Sequence, residues 1–122
     1  MEWIEVFVRD EKDFVYIDFS GLTKDKSYID RIEQAMPIIE AYEENSLRIV
    51  ANAESVRFDS NTKRITADFI NRLKPYAIAS AVLGADGTKK LMIAAAMKMA
   101  GHMNIYFAYS KEEAIEWLLE QE

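Results

Sequence analysis

The chain of 122 residues contains no cysteine, one histidine, two prolines and four glycines. Without cysteine there can be no disulfide framework, no thiolate metal site and no thiol nucleophile. The single histidine, His102, is a poor nucleus for a metal centre, and no metal or other cofactor is expected. So little glycine and proline leaves no linker, and no internal repeat or low-complexity tract divides the sequence. One domain with one core is the expected organisation. Long apolar runs are missing too. The longest, Leu91 to Ala100, is interrupted by Lys98 and falls short of the roughly 18 residues that a membrane span needs, so an integral membrane protein is not expected. A clustered excess of basic residues is also lacking. The formal charge is -6, which opposes a phosphate-backbone partner and sets nucleic acid aside. The opening Met1-Glu2-Trp3-Ile4-Glu5 has neither the basic start nor the apolar centre of a secretory signal, and the expectation is a cytoplasmic protein.

What the chain does have is apolar periodicity that switches between two and about 3.6 along its length. Trp3 to Val8 alternates, as does Phe14 to Phe19, so both read as strands. The charged link Arg9 to Asp13 is too short for a parallel crossover and predicts an antiparallel hairpin. Asp25 is placed to cap a helix whose apolar residues Ile29, Ile32, Met36, Ile39 and Tyr42 recur at three and four. Pro37 inside that pattern predicts a kink or a split near Glu33 to Met36, because proline has no N–H for the helical ladder. Leu47 to Ala53 reads as a strand and Thr62 to Leu73 as a helix beginning at Asp59-Ser60-Asn61-Thr62. Ala77 to Leu83 is a short apolar run suited to a central strand. Asp86-Gly87-Thr88 turns into a helix that ends at Gly101, and Asn104 to Tyr109 is the last strand. Ser110 and Glu113 have the spacing of a capping box and open the final helix.

The order β-β-α-β-α-β-α-β-α predicts an α/β fold with a five-stranded mixed sheet, its first strand antiparallel and the rest parallel, joined by right-handed crossovers. Opposite the apolar strand faces lie Glu5, Asp18, Arg48, Asn52 and Ser80, which sit badly under a second helix layer. The four helices are therefore expected mainly on one face. The other face should carry Trp3, Phe7, Phe14, Tyr16, Val50 and Tyr106, a mixed aromatic and polar surface. Two readings stay open: a homodimer interface or ligand floor formed by Trp3, Phe7, Tyr16 and Tyr106, or cover by the ends of helices.

Ligands in open α/β sheets gather beyond the carboxyl ends of the strands. His102 falls at the amino end of its strand, and strands of this length span roughly 17–20 Å, so it is predicted not to reach Asp59 or Ser60. A Ser-His-Asp triad is thereby excluded, and His102 reads as a helix-end residue. Gly84-Ala85-Asp86-Gly87-Thr88-Lys89-Lys90 has the wrong spacing and order for a phosphate loop and reads as a strand-to-helix turn. Met92, Met97, Met99 and Met103 read first as core filling and second as an adaptable apolar surface. No carboxylate pair, metal set or oxyanion constellation accompanies Asp18 or Asp59, and no catalytic residue is assigned. Asp59-Ser60-Asn61-Thr62 is the most informative loop, since its polar groups cap a helix start at which a phosphate would also meet free N–H groups.

Over nearly its whole length the sequence resembles the SpoIIAA-like fold family: STAS domains, including bacterial anti-sigma-factor antagonists, and the related STAS/SEC14-type small proteins. The element order, Phe19-Ser20-Gly21-Leu22 after the second strand, and the closing Glu112-Glu113-Ala114-Ile115-Glu116-Trp117-Leu118 carry the resemblance. Val56-Arg57-Phe58-Asp59-Ser60-Asn61-Thr62 looks like the antagonists' Asp-Ser-Ser-Gly segment, whose second serine is phosphorylated. Asn61 stands at that phosphoacceptor position and Thr62 at the glycine. The resemblance implies a cytoplasmic, non-catalytic interaction module with a protein partner met through Asp59, Ser60, Asn61 and Thr62. The alternative it implies is a carrier or sensor of a small apolar ligand or lipid, held on the aromatic sheet face or the Met-rich third helix.

Overall fold

Alternating side chains can bury a strand on two sides only if each side meets its own cover. The computed structural model, which describes residues 2–101 and 103–122, shows how that is met. Strands β1 (Ile4–Arg9), β2 (Lys12–Asp18), β3 (Leu47–Asn52), β4 (Ala77–Leu83) and β5 (Ile105–Ala108) form one sheet in the order β1-β2-β3-β4-β5. The first pair is antiparallel and the others are parallel, as expected. The hairpin turn is only Asp10-Glu11, both with positive φ (53° and 66°), the twist that a two-residue connection between right-twisted strands needs.

Helices α1 (Asp25–Glu40), α2 (Ser60–Leu73) and α3 (Gly87–Met99) cover one face, and α4 (Lys111–Leu119) covers the other. Val15, Ile17, Leu47 and Ile49 point into the three-helix side, where they meet Ile32, Met36 and Ile39 of α1 and Phe69, Ile70 and Leu73 of α2. Phe14, Val50, Ala79 and Ala81 point the other way and are sealed by Ala114, Ile115 and Leu118. Each large side chain so buried contributes about 1.5–3 kcal/mol relative to exposure.

Three expectations about local structure change. Pro37 does not split α1, which runs unbroken because the proline falls in the last turn, where its missing N–H removes one ladder bond while Met36 and Ile39 stay packed. Asp25 is not the cap of α1. Lys24 occupies that position, and the Asp25 carboxylate is directed to α2 instead. Ser80 lies on the three-helix face, not beside Arg48. The β3–β4 register runs Leu47 with Ala77 and then Arg48 with Ala79, so Ile78 is an inserted bulge residue that reverses the alternation of everything after it.

The aromatic face is covered rather than open. Its buried polar residue, Arg48, is 4% exposed. Its Nε donates to the Leu118 carbonyl at 2.8 Å and its Nη2 to the Gln121 carbonyl at 2.6 Å. The guanidinium therefore ties the end of α4 to the sheet, sharing the Leu118 carbonyl with the Gln121 N–H and taking the Gln121 carbonyl just beyond the helix. The sequence-based objection to a helix on this side is met by Arg48 itself. At the other end of α4, Ser110 Oγ accepts the Glu113 N–H at 3.1 Å, as the capping spacing predicts.

Candidate functional site

The carboxyl ends of β2 and β3 and the start of α2 bring together the polar loop singled out in the sequence. Asp59 has extended backbone geometry and caps α2. Its carboxylate accepts the N–H groups of Asn61 and Thr62 and the Thr62 hydroxyl, each at 3.0 Å. Arg57 Nη2 adds a further contact at 3.0 Å. The Thr62 N–H, then the Thr62 hydroxyl, hold the Asp59 carboxyl below its ordinary range, with Arg57 and the Asn61 N–H adding to the effect against partial desolvation. The Asn61 side-chain amide donates to Asp25, and Thr62 Oγ1 lies 3.4 Å from the same carboxylate. The loop is thus tied both to its own helix and to α1.

This wiring separates the four residues. Thr62 is 2% exposed and its hydroxyl is engaged. Asp59 and Asn61 hold the loop in shape. Ser60 is exposed at the first position of α2, so it is the hydroxyl of the loop that faces solvent. Asp18, by contrast, spends one carboxylate oxygen on the Ser20 N–H at 2.8 Å in the turn after β2.

Beneath the loop lies a feature that no sequence motif announces. An apolar cavity of about 50 Å³ sits between the sheet and the helices of the three-helix face. Val56 and Phe58, which lead into the Asp59 loop, form part of its wall, with Ile49 of the sheet and Phe69 of α2. Its polar groups are few. Ser80 contributes a hydroxyl from the sheet, and Tyr28 and Thr66 pair across α1 and α2 at 2.8 Å. Burial raises the Tyr28 hydroxyl to about 12, against the opposing pull of the Thr66 bond. Small residues on and just after the strands, Ala51, Ala53 and Ser80, opposite large ones on the helices, are the signal from which such a space is legible.

Of the expected aromatic surface, Phe7, Tyr16 and Tyr106 lie half-buried together on the α4 side. Phe7 stacks on Phe14 at 5.0 Å between ring centroids, and Tyr106 stacks on Trp117 of α4 at 4.9 Å. The Lys111 ammonium stands 4.4 Å from the centre of the Tyr16 ring and 5.3 Å from that of Phe7. Trp3 belongs to the other side. It lies in the turn before β1, packs toward the three-helix core and carries the Arg31 guanidinium over its ring. Strand parity does not govern a residue outside the strand, which is why Trp3 leaves the set.

The segment from Gly84 to Lys90 is a strand-to-helix turn. Gly84 has φ +73°, and a Cβ there would stand 2.6 Å from the Glu54 Cα, so the turn requires glycine on both counts. Lys89 reaches back to the Ala53 carbonyl at 2.9 Å. His102 lies outside the described residues. Among the described residues, no group of three or more His, Cys, Asp and Glu side chains is placed to hold a metal ion. No helix among them is long and apolar enough to cross a membrane.

No family model matches the sequence and no curated protein matches it. Solved structures do. An uncharacterised protein of the DUF3478 family from Shewanella loihica PV-4, described as having a SpoIIAA-like fold, superposes with a TM-score of 0.67 at 12% identity, covering 94% of this chain and 91% of that one. An anti-sigma-factor antagonist (STAS) domain protein from Planctomyces limnophilus superposes with a TM-score of 0.59 at 10% identity, covering 93% and 96%. The chain has the α/β fold that its element order predicts, and it is the SpoIIAA-like one that the resemblance implies.

Proposed function

We propose that this chain is a non-catalytic cytoplasmic interaction module that meets a protein partner through Asp59, Ser60, Asn61 and the start of α2. The observation that carries the reading is the construction of this loop. Three of its side chains are spent on fixing the backbone, and one hydroxyl, that of Ser60, is left facing solvent at the head of a 14-residue helix. A preordered surface loses little conformational freedom on binding, which favours recognition. The neighbour named as an anti-sigma-factor antagonist supports the same class of work. Since Thr62 is enclosed and Asn61 has no hydroxyl, any phosphorylation of this loop falls on Ser60, where the added charge meets the helix N-terminus.

The expected outcome of affinity capture from the native cytoplasm is a stoichiometric partner retained by the parent chain and by Lys98→Glu, a control on the exposed side of α3. Ser60→Glu and Asp59→Ala should each lower its recovery at least about tenfold, the effect of losing roughly 1.4 kcal/mol of binding. Equal recovery with all four proteins removes this surface from consideration.

The cavity favours a second reading, a sensor or carrier of a small apolar molecule. Of the two places that the sequence suggests, the aromatic face and the Met-rich third helix, it favours the three-helix side, where Ile93 of α3 is part of the wall. At about 50 Å³ the space holds a few atoms and not a lipid chain, so a ligand of lipid size requires α1 or α2 to move. Native mass spectrometry of freshly purified protein should show an added apolar mass that Ser80→Leu, which fills the space, abolishes. A clean apo mass together with no thermal shift on adding fatty acid ends this reading.

A further inference from the structure

Strand β1 is an edge strand whose outer side pairs with no described residue. The Asp18 N–H donates to the Trp3 carbonyl at 2.7 Å, so Trp3 and, by antiparallel alternation, Glu5, Phe7 and Arg9 turn their backbone groups toward β2. The N–H and C=O groups of Ile4, Val6 and Val8 therefore point outward. The side chains of the two valines are also uncovered, 51% and 64% exposed. A six-residue edge of this kind, without proline or bulge, is a template for another strand.

The sequence of β1 specifies which strand fits. In an isologous pair each residue meets a residue of the same sequence read backwards. Backbone parity restricts antiparallel pairing to registers that set Val6 opposite an even-numbered residue of the second copy. Setting Val6 opposite Val8 also sets Phe7 opposite Phe7 and Glu5 opposite Arg9, twice by symmetry. The alternative that pairs Val6 with Val6 sets Glu5 against Phe7, and the one that pairs Val8 with Val8 sets Glu5 against Glu11. Only the first matches opposite charges and joins the exposed valines. Glu5 and Arg9 then form a non-hydrogen-bonded pair, the type in which facing side chains approach most closely. Within one copy Glu5 already holds Lys111 at 2.7 Å and Arg9 holds Glu112 at 3.4 Å. Docking extends these into a row of alternating sign: Lys111, Glu5, then Arg9 and Glu112 of the second copy.

We infer that the partner for the β1 edge is a second copy of this chain, paired antiparallel through Val6 and Val8 with Glu5 opposite Arg9, which joins the two five-stranded sheets into one. This goes beyond the proposed partner site, since β1 and the Asp59 loop are separate surfaces and the pairing leaves Ser60 free.

Light scattering on the full chain tests it. The parent protein should show the mass of two copies. Val6→Pro, which removes an outward N–H and no bond to β2, should show the mass of one copy with an unchanged circular dichroism spectrum. Glu5→Lys and Arg9→Glu should each be monomeric alone, because each sets like charges opposite one another. Mixed in equal amounts they should form a heterodimer. The lysine introduced in one chain then faces the glutamate introduced in the other, and the remaining Arg9 of the first faces the remaining Glu5 of the second. A parent chain that stays monomeric at about 1 mM, where even a weak millimolar contact is half formed, overturns the inference. A dimer that survives Val6→Pro, or single variants that do not pair on mixing, overturns it as well.

Discussion

The two faces of the sheet draw on the same strands yet solve burial differently. On the α4 side one helix suffices, because the strand residues there are matched closely: Ala79 and Ala81 let α4 approach, and Phe14, Val50, Ile115 and Leu118 are essentially inaccessible. The buried polar group on that side is a full charge, Arg48, placed where the end of a helix offers carbonyls. On the other side three helices are needed, and they leave a cavity. The buried polar groups there are neutral hydroxyls: Tyr28 and Thr66 bonded to each other, Ser80 in the cavity wall, and Thr62 at the head of α2. The contrast is thus between a close-packed face that buries one charge and a face that keeps a small apolar cavity beside neutral hydroxyls.

The largest test of that contrast is removal of the charge. Arg48→Ala deletes the donors that serve the Leu118 and Gln121 carbonyls and opens space under α4, so a loss of about 3 kcal/mol is expected in urea unfolding. Arg48→Met restores most of the volume and none of the hydrogen bonds. It should recover part of the loss and remain about 1–2 kcal/mol below the parent. If the methionine variant matches the parent, the face is held by packing alone and the helix-end role of Arg48 is wrong. Burial also lowers the Arg48 pKa from its ordinary value. An arginine stays charged across the accessible pH range even so, and the stability that Arg48 itself contributes should be insensitive to pH.

How far the sequence reveals these faces depends on the residues. The order of elements, the hairpin and the caps of α2 and α4 are local patterns, set by Asp59, Ser110 and the charged Asp10-Glu11 turn, and they are legible. What is not legible depends on one inserted residue. Reading β4 as a regular alternation places Ser80 beside Arg48, and the bulge at Ile78 moves it to the opposite face. The buried arginine misleads in another way, since composition marks Arg48 as unsuited to a covered face and only tertiary structure brings the end of α4 to its guanidinium. Of the candidate loop, the capping role of Asp59 is readable from the residue types, while the enclosure of Thr62 depends on Asp25 of another helix and is not.

Tyr28 should respond to pH where Arg48 does not. Burial raises the Tyr28 pKa from 10 to about 12, so the folded chain keeps its phenolic proton at pH values where the unfolded chain has lost it. Stability from this residue is therefore complete below pH 10 and falls as pH climbs from 10 toward 12, by about 2 kcal/mol over the interval. Other tyrosines and the lysines titrate in the same range, so the informative quantity is the difference from Tyr28→Phe. At pH 8 the phenylalanine variant should be about 1 kcal/mol less stable, because the Thr66 hydroxyl loses its partner. Since the variant lacks this ionising group, the gap should close and then reverse as pH approaches 12. Urea midpoints for both proteins measured from pH 8 to pH 11.5 decide the matter. A constant gap across that range means that the phenol reaches water in the folded state, and the three-helix face is then more open than the burial of Tyr28 implies.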